Sequence, residues 1–144
     1  MAYSIIVNNM LKEIGIILYW AEGSKAYVSN GKKHERLIEF ANTDPLMITT
    51  FLRFLREIMK LEETRLRARI KIHQNINYKK SVEYWSKITG IPYEHFTKPI
   101  IRNYDSKKPN PENTVLTIRY TSKRDFVKLM GWINEVKNLL GDMV

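Results

Sequence analysis

From Arg65 to His73, basic and apolar residues alternate without a break. Leu66, Ala68, Ile70 and Ile72 fall on one side of the pattern; Arg65, Arg67, Arg69, Lys71 and His73 fall on the other. A period of two predicts a half-buried β-strand over 64–73, with one face in a core and a row of cations on the opposite face. Before it, MLKEIGIILYWAE has the apolar density of a helix buried on more than one side. Asn8 or Asn9 would cap that helix near Met10, and Gly23 would end it. SKAYVS, then NGKK, then HERLIEFAN predicts a β-hairpin over residues 24–42. Asp44-Pro45 marks the start of a helix over about 45–60.

Tyr78 to Thr89 predicts a helix ended by Gly90 and Pro92. FTKPIIR, residues 96–102, predicts a short strand weakened by Pro99, and DSKKPNPEN reads as a loop. TVLTIRYTS alternates again, placing Thr117, Arg119 and Thr121 opposite Leu116, Ile118 and Tyr120. A last apolar-periodic helix covers about 123–140. The order α-β-β-α-β-α-(β)-β-α predicts an α+β fold in one domain, residues 1–144. The strands are expected to share one antiparallel or mixed sheet, helices on one face and cations on the other.

Charge sharpens the picture. The chain has 24 Lys and Arg against 15 Asp and Glu, for a net charge of +9 over 144 residues. Same-face neighbours on a strand are about 6.6 Å apart, inside the Debye length of about 8 Å, so the cations of 65–71 repel one another by roughly several tenths of a kcal/mol per pair. Carboxylates on adjacent strands would relieve that repulsion, and so would a polyanion outside the protein. An excess of this size points to nucleic acid or an anionic membrane surface. Apolar runs stay too short for a membrane span, and residues 1–9 lack a basic start and a long apolar core, so neither a membrane segment nor a secretory leader is expected. There is no cysteine, which excludes thiolate metal sites and suits a reducing, cytoplasmic setting. His34, His73 and His95 lack metal-ligand spacing, no glycine-rich phosphate loop is present, and Ser24 and Ser29 have no base beside them.

GIILYWAEGS, residues 15–24, is an apolar helix ending in acid-Gly-Ser ahead of a hairpin with a basic tip. This resembles the LAGLIDADG homing endonuclease family. Leu18 matches the second Leu of the motif, Ala21 the last Ala, Glu22 the second acid, and Gly23-Ser24 its end. The later hairpin, ANTDP, helix and basic strand extend the resemblance over most of the chain. So does similarity to short bacterial and archaeal LAGLIDADG-like proteins carrying an LYW, EG and a later YW pair, here Tyr84-Trp85. Ile16 and Ile17 replace the small residues at which the family's paired helices touch, and Trp20 replaces the first acid.

The resemblance implies a homodimer joined through the motif helix, with Gly15, Leu18, Tyr19 and Ala21 at the interface. It implies Mg²⁺ held by Glu22 of both copies and the Ala21 carbonyl, since one carboxylate is too few for a catalytic magnesium. Asn42 and Lys98 sit roughly where the family places a polar residue and a lysine near the catalytic water. The face expected against double-stranded DNA comprises Lys25, Tyr27, Ser29, Lys32, Lys33, His34, Arg36, Arg65, Arg67, Arg69, Lys71, His73 and Arg119. The implied activity is Mg²⁺-dependent hydrolysis of duplex DNA. A non-cleaving DNA-binding regulator and an RNA-binding intron-splicing helper remain open on the same fold.

Overall fold

The computed structural model describes residues 2–24, 28, 29, 32, 33, 37–102 and 114–143. The elements are α1 (Ala2–Glu22), β1 (Val28–Ser29), β2 (Lys32–Lys33), β3 (Leu37–Asn42), α2 (Pro45–Glu57), a 3-10 turn (Glu63–Arg65), β4 (Leu66–His73), α3 (Tyr78–Thr89), a second 3-10 turn (Tyr93–His95), β5 (Ile100–Arg102), β6 (Val115–Thr121) and α4 (Lys123–Asp142). The fold is α+β, with a four-stranded mixed sheet in the order β3-β6-β4-β5. β6 runs antiparallel to both β3 and β4, whereas β5 runs parallel to β4. Among the described residues, no helix is long and apolar enough to cross a membrane.

Local chemistry explains most element ends. The Asp44 side chain accepts a hydrogen bond from the Leu46 N–H at 2.9 Å and Pro45 opens the helix, as the Asp-Pro pair predicts. Asn77 caps α3 through the Lys80 N–H, and Gly90, at φ +74°, ends it in the left-handed region. Ser122 caps α4 through the Asp125 N–H. Pro99 precedes β5, which is an edge strand of three residues.

Three boundaries differ from expectation. α1 begins at Ala2 rather than near Met10, so Asn8 and Asn9 lie inside it. Asn8 caps nothing; its Oδ1 accepts a hydrogen bond from Arg53 Nη2 on α2 at 2.5 Å. Ile5, Ile6 and Val7 carry the apolar pattern on upstream. The expected hairpin is a two-residue ladder, Val28 with Lys33 and Ser29 with Lys32, while β3 leaves it and joins β6. Arg65 belongs to the 3-10 turn ahead of β4, not to the strand.

The core forms between the helices and one face of the sheet. Ile38 and Phe40 from β3, Leu66, Ala68, Ile70 and Ile72 from β4, and Leu116, Ile118 and Tyr120 from β6 are all buried there. Phe51 of α2 stacks on Phe40 with ring centroids 4.4 Å apart and meets the edge of Tyr19 at 5.6 Å. Gly15 permits the close approach of α1 to α2, and Gly23 makes room for the Tyr19 ring of α1 itself. A Cβ on Gly15 would stand 2.0 Å from the Phe54 ring, and one on Gly23 would stand 2.1 Å from the Tyr19 ring. Trp85 is fully buried, and its indole N–H donates to Thr114 Oγ1 at 2.6 Å, tying α3 to the start of β6.

Candidate nucleic-acid interface

β4 alternates strictly between buried and half-buried positions, so Arg67, Arg69, Lys71 and His73 point away from the helices. Register places them in rows across the sheet. Glu39, Arg119 and Arg67 form one row on β3, β6 and β4; Ala41, Thr117 and Arg69 form the next. Lys71 lies between Val115 and Ile100, and His73 beside Arg102. The open face thus carries cations on β4, β5 and β6 and one described carboxylate, Glu39.

The backbone decides how the first row settles. The Glu39 N–H donates to the Tyr19 hydroxyl at 3.1 Å, and the Glu39 carbonyl accepts from the Ser24 N–H at 2.9 Å. Both groups therefore point away from β6, which makes Glu39 and Arg119 a non-hydrogen-bonded pair with closely spaced side chains. Their ion pair, Arg119 Nε to Glu39 Oε2, is 2.9 Å long and half-buried. By alternation, Arg119 and Arg67 form the wider, hydrogen-bonded pair. Two like charges so placed are destabilising by up to about 1 kcal/mol. Arg67 folds back, and its Nη1 donates to the Thr64 and Leu66 carbonyls, each at 2.8 Å.

The remaining cations differ in how they are held. Arg65 donates to the Thr121 carbonyl and lies 5.6 Å from the centre of the Tyr120 ring. Arg69 Nε is buried and finds no acceptor among the described residues. An unmet buried donor of this kind costs about 1–3 kcal/mol. The ion pairs among the described residues join Arg53 to Glu57, Arg56 to Glu63, Arg119 to Glu39 and Arg124 to Asp125. Of the cations on the sheet face, these neutralise Arg119 alone. Of the two sources of relief open at the level of sequence, cross-strand carboxylates account for one arginine.

The end of α1 is fixed to the outer edge of β3. Gly23 bridges to Phe40, and the Tyr19 hydroxyl donates to the Ser24 carbonyl while accepting from Glu39. Burial pushes the Tyr19 hydroxyl up to about 12; the hydrogen bond from Glu39 works against this and the Glu39 charge adds to it. Ala21 and Glu22 are exposed at this end. Asn42 lies two residues past the bridge on β3, and its Oδ1 accepts from the Asp44 N–H at 2.8 Å. Lys98 stands elsewhere. It follows Thr97, which bonds the Ala68 carbonyl on the far side of β4 from β6. Three strand spacings, about 14 Å, part the two edges of the sheet. Lys98 is therefore not brought to Glu22 of its own chain.

The expected dimer residues divide. Gly15 is buried against Phe54 and Tyr19 is fully buried in its own core, so neither faces a partner. Leu18 is half-buried and Ala21 exposed on the other side of the helix. There Val7, Met10, Ile14, Ile17 and Ala21 repeat at spacings of three and four, and Met10 and Ile17 are 51% and 50% exposed. Asn9, Met10, Glu13, Ile14, Ile17 and Leu18 line a shallow groove of about 510 Å³.

Mg²⁺ takes six oxygens, usually one or two of them from protein carboxylates. Glu22 offers one, and no group of three His, Cys, Asp or Glu side chains stands together among the described residues. A single chain does not fit a magnesium centre; Glu22 of a second copy would be needed.

Lys25, Tyr27, His34 and Arg36 lie outside the described residues, and for Ser29, Lys32 and Lys33 the backbone ladder alone is described. Sequence reasoning missed Glu39, Thr117 as a neighbour of Arg69, and Arg102. The alternation of LIEFAN and of IIR held the signal for Glu39 and Arg102. No family model matches the chain, and no curated protein and no solved structure is significantly similar to it.

Proposed function

We propose that this chain is a LAGLIDADG-like protein that binds double-stranded DNA as a homodimer through the open face of its sheet. The observation that carries this is the set Arg67, Arg69 and Lys71, aligned on a central strand and left without carboxylate partners among the described residues. A duplex presents a phosphate every 1.7 Å or so of its axis and releases counterions to cations of this kind. Arginines also reach guanine edges in the major groove, while lysines hold phosphates. The apolar seam on α1 supports the dimer: residues at three-four spacing suit helix pairing at about 20°. A two-fold dimer favours a palindromic site.

The test is duplex affinity against salt for the wild type and for Arg67→Ala/Arg69→Ala/Lys71→Ala. Losing two or three phosphate contacts in each protomer of the dimer should lower the slope of log affinity on log salt by about 3.6–5.4. An unchanged slope assigns binding to another surface. Preference for structured RNA over duplex DNA in competition assigns the face to RNA instead.

Cleavage is the second reading, supported by one observation: Glu22 is exposed at the end of the same helix that carries the seam. Pairing of two α1 helices would bring two such carboxylates toward one axis. Incubation with Mg²⁺ and a plasmid library tests it. Nicking that is lost in Glu22→Gln while binding persists supports the nuclease; binding without nicking supports the regulator.

A further inference from the structure

Building on the duplex-binding proposal, we propose that Arg69 is the base-reading residue of the sheet face, taking a guanine through its O6 and N7, while its neighbouring arginines hold and position the backbone. Three observations separate it from them. Its Nε is buried without an acceptor among the described residues. The other arginines of β4, of β6 and of the turn ahead of β4 are bound within the chain: Arg65 to the Thr121 carbonyl, Arg67 to two carbonyls and Arg119 to Glu39. Finally, the row across Arg69 consists of Thr117 and Ala41, neither of which offers a carboxylate that would hold its guanidinium.

The difference decides which side chain moves on binding. Extending Arg67 or Arg119 toward a base edge breaks bonds that each already makes. Extending Arg69 breaks none at Nε and gives that donor its first acceptor. The planar fork of arginine matches the paired acceptors of guanine, which an ammonium cannot copy. β4 is also an inner strand, flanked by β6 and β5, so Arg69 lies away from both edges of the platform.

The experiment is selection of binding sites from a randomised duplex library, read as a base profile, with affinity against salt measured alongside. The wild type and Arg69→Lys are compared, and thermal melting verifies that the variant folds. Arg69→Lys keeps the charge and removes the fork, so the salt slope should hold while preference for one G·C pair per half-site falls roughly tenfold or more. A wild-type profile that survives Arg69→Lys unchanged overturns the assignment, and so does salt-dependent wild-type binding with a flat base profile. A wild type with no salt-dependent duplex affinity fails at an earlier step, and removes the duplex-binding proposal itself.

Discussion

Arg67 and Arg119 stand directly opposite each other on β4 and β6, two cations in register on the open face of the sheet. Glu39 offsets one of them from the next strand. Glu39 therefore competes with any outside anion for Arg119. Glu39→Gln should raise duplex affinity several-fold at low salt and steepen the salt slope by about 1.8, the increment for one more phosphate contact in each protomer. Fluorescence anisotropy over a salt series measures both, and a fall in affinity would contradict the competition.

The seam on α1 makes a separate prediction. Ile17 is half exposed and lies opposite the core-facing side of its helix. Ile17→Glu should leave the melting temperature within a few degrees of wild type and shift the sedimenting species from dimer to monomer. Leu11→Glu, by contrast, places a charge at a site 2% exposed and should prevent folding. Analytical ultracentrifugation and melting separate the two behaviours.

Gly15 and Phe54 are in closest approach between α1 and α2. An added methyl group would overlap the ring, so helix propensity, which favours alanine over glycine by about 1 kcal/mol, is overruled. Gly15→Ala should destabilise the chain by about 1–3 kcal/mol. Gly15→Ala combined with Phe54→Leu should recover part of the loss, as urea unfolding of both variants would register.

Tyr19 gives the fold an alkaline limit. Its folded pKa, about 12, lies above the ordinary value of 10, so the protonated form is favoured by folding. The stabilisation is complete below pH 10 and is lost as pH rises from 10 through 12, by roughly 3 kcal/mol. Tyr78 is shifted in the same direction by burial. In Tyr19→Phe, stability at neutral pH falls with the lost hydrogen bonds, and its decline between pH 10 and 12 should flatten. Denaturation at stepped pH, with ultraviolet titration of the eight tyrosines, follows both.

Much of this architecture was legible in residue periodicity and capping chemistry. The strict alternation of β4, the Asp44-Pro45 start of α2 and the Gly90 end of α3 are local signals, and local geometry obeys them. Partner choice was not legible. β3 pairs with β6 across 80 residues of sequence, from Glu39 to Arg119, and nothing in the run LIEFAN names its neighbour. The start of α1 was obscured because Asn8 and Asn9 look like caps, although one of them bonds a distant arginine. On the candidate site, the cations of β4 could be read from their spacing, whereas the fate of each guanidinium depends on carbonyls and a carboxylate supplied by other segments. The inward turn of Gly15 and Tyr19 depends likewise on Phe54 and Glu39.

Glu39 joins two parts of the molecule through different atoms. Its peptide group is clasped by Tyr19 and Ser24 at the foot of α1, and its carboxylate holds Arg119. A small rotation of the first helix would therefore travel along one residue into the position of a guanidinium on the opposite surface of the sheet. The helix that would meet another copy and the platform that would meet a polyanion are geared to each other, not merely mounted on the same frame.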